Sequence, residues 1–109
     1  MNYKVETIAN FDREAKRLAK KFPSLKNEIT ELIGSLETNP FQGDALGNHS
    51  YKIRLAIASK GKGKSGGARV ITCIKIMQQT VFLISIYDKS EQEDISGNEI
   101  KSLINSIPK

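Results

Sequence analysis

The sequence predicts an α+β fold: an N-terminal strand and a helical hairpin packed on a small antiparallel sheet of three to four strands, with a C-terminal helix. Three observations predict it. Apolar residues recur at helical spacing through residues 11–36, the period changes to two through residues 51–57, and helical spacing returns from residue 100. With 109 residues and no repeat or linker, the chain has room for one core, so we expect residues 1–109 to form a single domain.

Two helices are predicted after a short first strand at residues 3–8. The first helix follows Asn10, a residue type favoured at N-caps, and Pro23 separates it from the second. The second helix ends before Asn39–Pro40, because the residue preceding a proline disfavours the helical region. The two apolar stripes consist of Phe11, Ala15, Leu18 and Phe22, and of Leu25, Ile29, Leu32, Ile33 and Leu36.

The sheet is predicted from three β-rich runs that follow a loop at residues 40–50. Residues 51–57 alternate between apolar and polar side chains, as a strand with one buried face does. A lysine- and glycine-rich connection at residues 59–68 leads to residues 69–77, and a tight turn leads to residues 81–87. These last two runs are apolar on both faces, which is typical of central strands.

The C-terminal helix has the clearest local signature. Ser96 and Glu99 have the spacing of a capping box, and Ile95 and Ile100 have that of a hydrophobic staple. The buried stripe would consist of Ile100, Leu103, Ile104 and Ile107.

Strand alternation gathers basic residues on one face of this sheet. If the helices cover the side of Ile53, the opposite side presents Lys52, Arg54, Arg69 and Tyr87, with Lys89 just beyond. No acid is predicted on this face. Guanidinium and ammonium groups beside a phenol suit a phosphate and a splayed RNA base, and the formal net charge of +5 favours polyanionic partners.

Several segments together resemble the RelE toxin superfamily, and most closely its HigB-related branch. They are the helical hairpin, the NP-x-x-G loop that starts at Asn39, YKIRL at 51–55, GKGKSGGARVI at 61–71 and VFLISIYDKSE at 81–91. Their order and spacing cover nearly the whole chain.

The resemblance implies a RelE-like fold and a toxin that cuts messenger RNA in the ribosomal decoding site without a metal or other cofactor. In this chemistry the ribose 2′-hydroxyl attacks the adjacent phosphate and the 5′-oxygen leaves. The implied partner protein is an antitoxin, through which alone DNA would be bound. A cytoplasmic location is expected, because the sequence shows no membrane-spanning or secretory segment and has a single cysteine.

The resemblance also implies roles for the residues of the basic face. Lys52 matches a lysine that acts as base or polarises the 2′-hydroxyl, and Arg54 stands where relatives often have a second lysine. Arg69 matches an arginine that grips the phosphate, and Lys89 falls near one that assists the leaving group. The chain has no tyrosine after Tyr87, so Tyr87 either replaces the C-terminal tyrosine of relatives or stacks on a base.

Three lysines of the glycine-rich connection, Lys60, Lys62 and Lys64, are predicted contacts of the RNA backbone. The stretch ASKGKGKS at 58–65 falls one residue short of a nucleotide-binding phosphate loop, and a strand rather than a helix follows it. His49 is the sole histidine and could assist proton transfer, although an exposed loop residue is the simpler interpretation. With Cys73 the only cysteine, no metal site is predicted.

Two alternative functions remain at this point. One is a ParE-type toxin with the same fold that inhibits DNA gyrase and cleaves nothing; the basic set Lys52, Arg54 and Arg69 argues against it. The other is an RNA-binding module without catalysis, which the absence of a C-terminal tyrosine leaves open.

Overall fold

The computed structural model describes residues 2–61, 63 and 66–108. Its elements are β1 (Lys4–Thr7), α1 (Ala9–Lys21), α2 (Leu25–Thr38), β2 (Asp44–Gly47), β3 (Ser50–Leu55), β4 (Ala68–Lys75), β5 (Thr80–Asp88) and α3 (Gly97–Asn105). Short 3₁₀ turns lie at Ala58–Lys60 and Ile76–Gln78. The predicted α+β class, helical hairpin and C-terminal helix are confirmed.

Within the described residues the sheet has five strands in the order β1-β5-β4-β3-β2, which is more than the three to four predicted. β1 pairs with β5 in parallel, with Val5 opposite Val81, so the sheet is mixed rather than purely antiparallel. The additional strand, β2, lies in the segment predicted to be a loop. All four of its residues are exposed, so it lacks the apolar alternation that identifies a half-buried strand.

The hairpin of α1 and α2 supplies the helical side of the core. Leu18 of α1 and Leu25 and Leu36 of α2 are fully buried, at positions that the sequence pattern assigns to the apolar stripes. The predicted cap at Asn10 is wrong, because α1 begins directly after β1 and Ile8 is its N-cap. Asn10 lies inside the helix, where its amide donates to Glu14 Oε1 at 2.9 Å and to the Ile84 carbonyl at 3.0 Å.

The start of α3 follows the predicted capping pattern. Ser96 is the N-cap, and its hydroxyl accepts a hydrogen bond from the Glu99 backbone N–H at 3.1 Å. Ile95 and Ile100, the two predicted staple residues, are both buried. The connection from β5 to α3 is therefore anchored at its C-terminal end.

A β-bulge interrupts the pairing of β4 with β5. Ile71 lies opposite Ser85 whereas Thr72 lies opposite Leu83, so β5 has one extra residue, Ile84. The predicted unbroken alternation through residues 81–87 is therefore wrong for the residues that precede the bulge. Regular alternation places Leu83 opposite Cys73, whereas in the structure Phe82 lies opposite Cys73.

Glu14 of α1 supports this bulge. One carboxylate oxygen, Oε1, accepts hydrogen bonds from the Ser85 hydroxyl at 2.9 Å and from the Ile86 backbone N–H at 3.2 Å. The same oxygen accepts the Asn10 amide. Because the bulge lies three residues before Tyr87, this carboxylate helps to fix the position of the end of β5.

Replacing Glu14 with alanine is expected to lower the free energy of unfolding by about 2 kcal/mol, because the partly buried Ser85 and Ile86 donors lose a charged acceptor. Urea denaturation of the variant and of the wild type measures the difference. Glu31→Ala, which removes an exposed carboxylate from α2, is the control. Equal stability of the two variants would contradict this role of Glu14.

Candidate RNA-binding site

The strand register brings four of the predicted residues to one face of the sheet. Arg54 of β3 lies opposite Arg69 of β4, and Arg69 lies opposite Tyr87 of β5, which forms one row across three strands. Lys52 precedes Arg54 by two residues and therefore lies on the same face. This juxtaposition is the one that strand alternation predicts.

The four residues differ sharply in exposure. Arg54 is exposed, and the Lys52 side chain is 26% exposed. Arg69 and Tyr87 are buried, with 7% and 3% of their surface accessible. The Arg69 guanidinium donates to the Ala68 carbonyl at 3.1 Å. Of these four residues, Lys52 and Arg54 are therefore accessible cations, with a buried arginine and a buried phenol behind them.

An acid also occupies this face, contrary to the prediction that none does. Asp94 Oδ1 accepts the Lys52 ammonium at 3.2 Å, the Ile95 backbone N–H at 2.8 Å and, in a longer contact of 3.5 Å, the Tyr87 hydroxyl. The backbone N–H and then Lys52 lower the pKa of Asp94 below its ordinary value. Asp94 comes from the connection between β5 and α3, so strand alternation could not place it.

Tyr87 is held as a neutral phenol. Its burial, followed by the negative charge of Asp94, raises the pKa of its hydroxyl to about 12, although Arg69 acts in the opposite direction. A neutral phenol is a hydrogen-bond donor. Because only 3% of the residue is exposed, its ring presents no open face on which a base could stack.

Lys89 lies one residue beyond β5 and is half-buried. Its ammonium donates to the Glu93 carbonyl at 3.2 Å, and its backbone N–H donates to the Gly67 carbonyl at 3.0 Å. These contacts place Lys89 at the end of the strand that holds Tyr87, close to the connection that holds Asp94.

Lys60 lies apart from this group. Its ammonium forms an ion pair with Asp88 and also donates to the Ser90 hydroxyl at 2.7 Å. The Lys60 side chain is only 10% exposed and that of Asp88 only 1%. Since Asp88 follows Tyr87 directly on β5, it points to the opposite face of the sheet. The other two predicted backbone contacts, Lys62 and Lys64, lie outside the described residues.

The seven residues 88–94, which we call the acidic segment, contribute the acids of four ion pairs in the described part of the chain. Asp88 pairs with Lys60 and Asp94 with Lys52. Glu91 pairs with two residues of α1, Arg17 at 2.9 Å and Lys21 at 3.1 Å. The acidic segment therefore forms ion pairs with α1 on one side of the sheet and with Lys52 on the other.

Comparison with known proteins identifies the family. The sequence model described as "RelE toxin of RelE / RelB toxin-antitoxin system" matches residues 4–106. The chain belongs to the RelE toxin family. The expectation drawn from the sequence motifs is thereby confirmed.

Solved toxin structures share the fold. A double arginine-to-alanine mutant of Escherichia coli RelE in the free state superposes with a TM-score of 0.66 at 16% identity, covering 99% of this chain and 100% of that one. A chain of the RelBE2 toxin–antitoxin complex from Mycobacterium tuberculosis gives 0.59 at 16% identity, covering 81% and 92%. A metal-bound toxin from Helicobacter pylori gives 0.52 at 23% identity, covering 84% and 99%.

His49 of this RelE family chain does not join the basic face. It is exposed in the turn between β2 and β3, where its φ of 59° is left-handed, and its carbonyl accepts the Ile74 N–H at 2.9 Å. Ile74 is five residues from Arg69 along β4, which corresponds to roughly 16 Å. Because Tyr87 lies opposite Arg69, His49 is too distant to share a proton with Tyr87.

Other site types find no support in the part of the RelE chain that the structure describes. It contains no group of three or more His, Cys, Asp or Glu side chains that could hold a metal ion. No helix there is long and apolar enough to cross a membrane. Cys73 of β4 is buried, and burial raises the pKa of its thiol.

The ion pairs of the acidic segment make stability depend on pH. Burial alone would raise the pKa of Asp88, but hydrogen bonds from Lys60 and from the Ser90 N–H outweigh it and lower that pKa. A carboxylate with a lowered pKa in the folded state stabilises the fold above its unfolded pKa, near 4, and this stability is lost as the pH falls through the folded value.

We therefore expect constant stability between pH 5 and 7 and a steep loss below about pH 4. Urea unfolding at stepped pH values measures it. The Asp88→Asn variant should be less stable than the wild type at pH 7, but its free energy of unfolding should fall less when the pH is lowered. An identical acid slope in the variant would contradict the assignment to Asp88.

Proposed function

We propose that this chain is a ribosome-dependent endoribonuclease that cuts messenger RNA and thereby arrests translation. The observation that supports this most directly is the row of Arg54, Arg69 and Tyr87 across β3, β4 and β5, with Lys52 beside it. This face combines accessible cations for a phosphate with a protonated phenol, and membership in the RelE toxin family agrees with a toxin that acts on RNA.

In the proposed reaction the ribose 2′-oxygen forms a bond to the adjacent phosphorus, and the bond from phosphorus to the 5′-oxygen breaks. The proton of the 2′-hydroxyl is taken up by a base, and a proton is supplied to the leaving 5′-oxygen. The products are a 2′,3′-cyclic phosphate and a 5′-hydroxyl. Cations around the pentacoordinate phosphorus stabilise its negative charge, so the reaction uses no cofactor and no metal.

The exposure of each residue supports a particular part for it in this reaction. Lys52 and Arg54 are accessible and would contact the reacting phosphate; an ion-paired ammonium suits charge stabilisation better than proton abstraction. Arg69 and Tyr87 would act from behind them, adding positive charge and a neutral donor. Lys89, at the end of β5, would approach the leaving oxygen.

The substrate is proposed to be messenger RNA in the ribosomal decoding site. The basic face presents no histidine for proton transfer, because the sole histidine, His49, lies in the turn between β2 and β3. A ribosome that holds the RNA in the reactive geometry would supply the orientation that such a site needs. The fully exposed β2 edge and the flat basic face suit an extended strand of RNA rather than an enclosed small molecule.

The proposed protein partner is an antitoxin of acidic character. The M. tuberculosis relative is described as a toxin–antitoxin complex, and a net charge of +5 is complementary to an acidic partner. Such a partner would cover the basic face or displace α3. Contact with DNA would then come only through the antitoxin, and the site of action would be the cytoplasm.

Primer extension on messenger RNA after brief induction tests the proposal in cells. The wild type is compared with a double variant, Lys52→Ala with Arg54→Ala, and with Lys101→Ala on α3 as the control. New cuts within translated codons, lost only in the double variant, are expected. Growth arrest with intact transcripts would overturn the proposal in favour of gyrase inhibition, and neither cuts nor arrest would favour a passive binding module.

A further inference from the structure

Asp94 joins two strands of the basic face through one oxygen atom. Its Oδ1 accepts the ammonium of Lys52 from β3 and the hydroxyl of Tyr87 from β5. These strands are separated by β4, so their backbones lie about 10 Å apart. No direct contact between the two side chains is needed to couple them, because the carboxylate lies between them.

The carboxylate is itself held by the backbone. Ile95 donates its N–H to the same Oδ1 at 2.8 Å, and the side-chain amide of Gln92 donates to the Asp94 carbonyl at 2.9 Å. Ile95 is buried, and the next residue, Ser96, caps α3. Asp94 is thus fixed between the anchored start of a helix and the end of β5, although its side chain is 65% exposed.

We propose that Asp94 is a positioning residue for RNA cleavage: its carboxylate fixes the Lys52 ammonium at the accessible surface of the basic face and links it to the Tyr87 hydroxyl behind. This inference rests on the proposed nuclease function. Lys52 is the member of the trio that reaches the RNA, because Tyr87 is buried and Asp94, being an anion, is repelled by phosphate.

The charges around Tyr87 agree with this arrangement. Asp94 faces its hydroxyl from the β5–α3 connection, Arg69 faces it from β4, and Lys52 from β3 reaches it through the carboxylate. Burial and Asp94 raise the Tyr87 pKa, whereas Arg69 lowers it. A substitution that removes the negative charge of Asp94 but keeps the shape of the side chain should therefore lower the pKa of the Tyr87 hydroxyl.

The experiment compares Asp94→Asn and Asp94→Glu with the matched control Glu93→Gln, which removes one exposed negative charge from the neighbouring residue. Two quantities are measured on the full chain. The first is the titration of Tyr87, followed by NMR of isotope-labelled tyrosine rings and assigned by its loss in Tyr87→Phe. The second is kcat and KM for cleavage of ribosome-bound messenger RNA between pH 6 and 9.

In Asp94→Asn we expect the Tyr87 pKa to fall by about one unit. We expect kcat to fall at least about tenfold with KM within about twofold, because a misplaced ammonium loses transition-state contacts rather than binding. Asp94→Glu should recover part of kcat, and Glu93→Gln should match the wild type in both measurements.

Three results would decide against the proposal or separate it from the nuclease assignment. An unchanged Tyr87 titration in Asp94→Asn would overturn it. Cleavage by Asp94→Asn at or above the wild-type rate would overturn it as well, and would instead identify Asp94 as an occupant that the phosphate displaces. If the wild type cuts no RNA, the proposed function fails, and the Tyr87 titration still decides whether Asp94 organises this trio.

Discussion

Replacing Lys52 with alanine is expected to reduce the rate of messenger RNA cleavage by at least about a hundredfold, which corresponds to about 2.7 kcal/mol of transition-state stabilisation. Lys52 is the accessible ammonium of the basic face, and its loss also leaves the Asp94 carboxylate without its cation. The uncompensated carboxylate would repel the phosphate that the face is proposed to bind. Single-turnover cleavage of ribosome-bound RNA measures the rate.

A conservative variant tests whether Lys52 acts through its charge or through proton transfer, and a second variant serves as the control. Lys52→Arg keeps the positive charge but cannot readily exchange a proton, so substantial activity in this variant would assign Lys52 to charge stabilisation. Lys101→Ala removes an exposed lysine from α3 and should leave the rate unchanged. A Lys52→Ala protein that folds and cleaves within about twofold of the wild type would contradict the assignment of Lys52 to the site.

Replacing Lys60 with alanine is expected to lower the free energy of unfolding by about 3 kcal/mol. The Lys60 ammonium is the partner of Asp88, whose side chain is 1% exposed, and it also lies 5.5 Å from the centre of the Phe22 ring. Removing it leaves a buried carboxylate without its cation. Urea denaturation of the variant and the wild type measures the loss.

A second substitution tests the physical cause. In the double variant Lys60→Met with Asp88→Asn, no charge remains buried, so much of the lost stability should return. Lys20→Ala, which removes an exposed lysine from α1, is the control. If Lys60→Ala is as stable as this control but binds ribosomes more weakly, Lys60 is a contact of RNA, as the sequence predicts, and not a structural cation.

Local patterns in the sequence predict most of the fold. The apolar stripes of α1 and α2, the paired runs that form β4 and β5 and the Ser96 cap of α3 all depend on residues close together in the chain. The row of Arg54, Arg69 and Tyr87 was also predictable, because side chains alternate strictly along each strand and the connections are short.

The features that the sequence did not predict depend on contacts between distant residues. β2 forms only because β3 offers it a partner, and its exposed residues show no alternation. The bulge at Ile84 is stabilised by Glu14 from a different element. No periodicity indicates that Lys60 folds back onto Asp88, so the sequence did not predict this ion pair.

Asp94 was missed for the same reason. Its position between Lys52 and Tyr87 follows from the path of the β5–α3 connection, which strand alternation does not describe. A local signal was nevertheless present: four acids occur within residues 88–94 of an otherwise basic chain, directly after the strand that ends the predicted basic face. Charge complementarity with that face could have placed one of them, Asp94, there.

The most direct test of the nuclease assignment uses two messenger RNAs that differ by a single oxygen atom. Purified protein is added to ribosomes programmed with an all-ribose message or with one that has a 2′-deoxyribose on the 5′ side of the bond cut in the first. We predict a cut in the all-ribose message, with a 2′,3′-cyclic phosphate on the upstream fragment, and no cut at that bond in the other. Equal cutting of both messages would contradict the nuclease assignment. So would a block of translation in which neither message is cut.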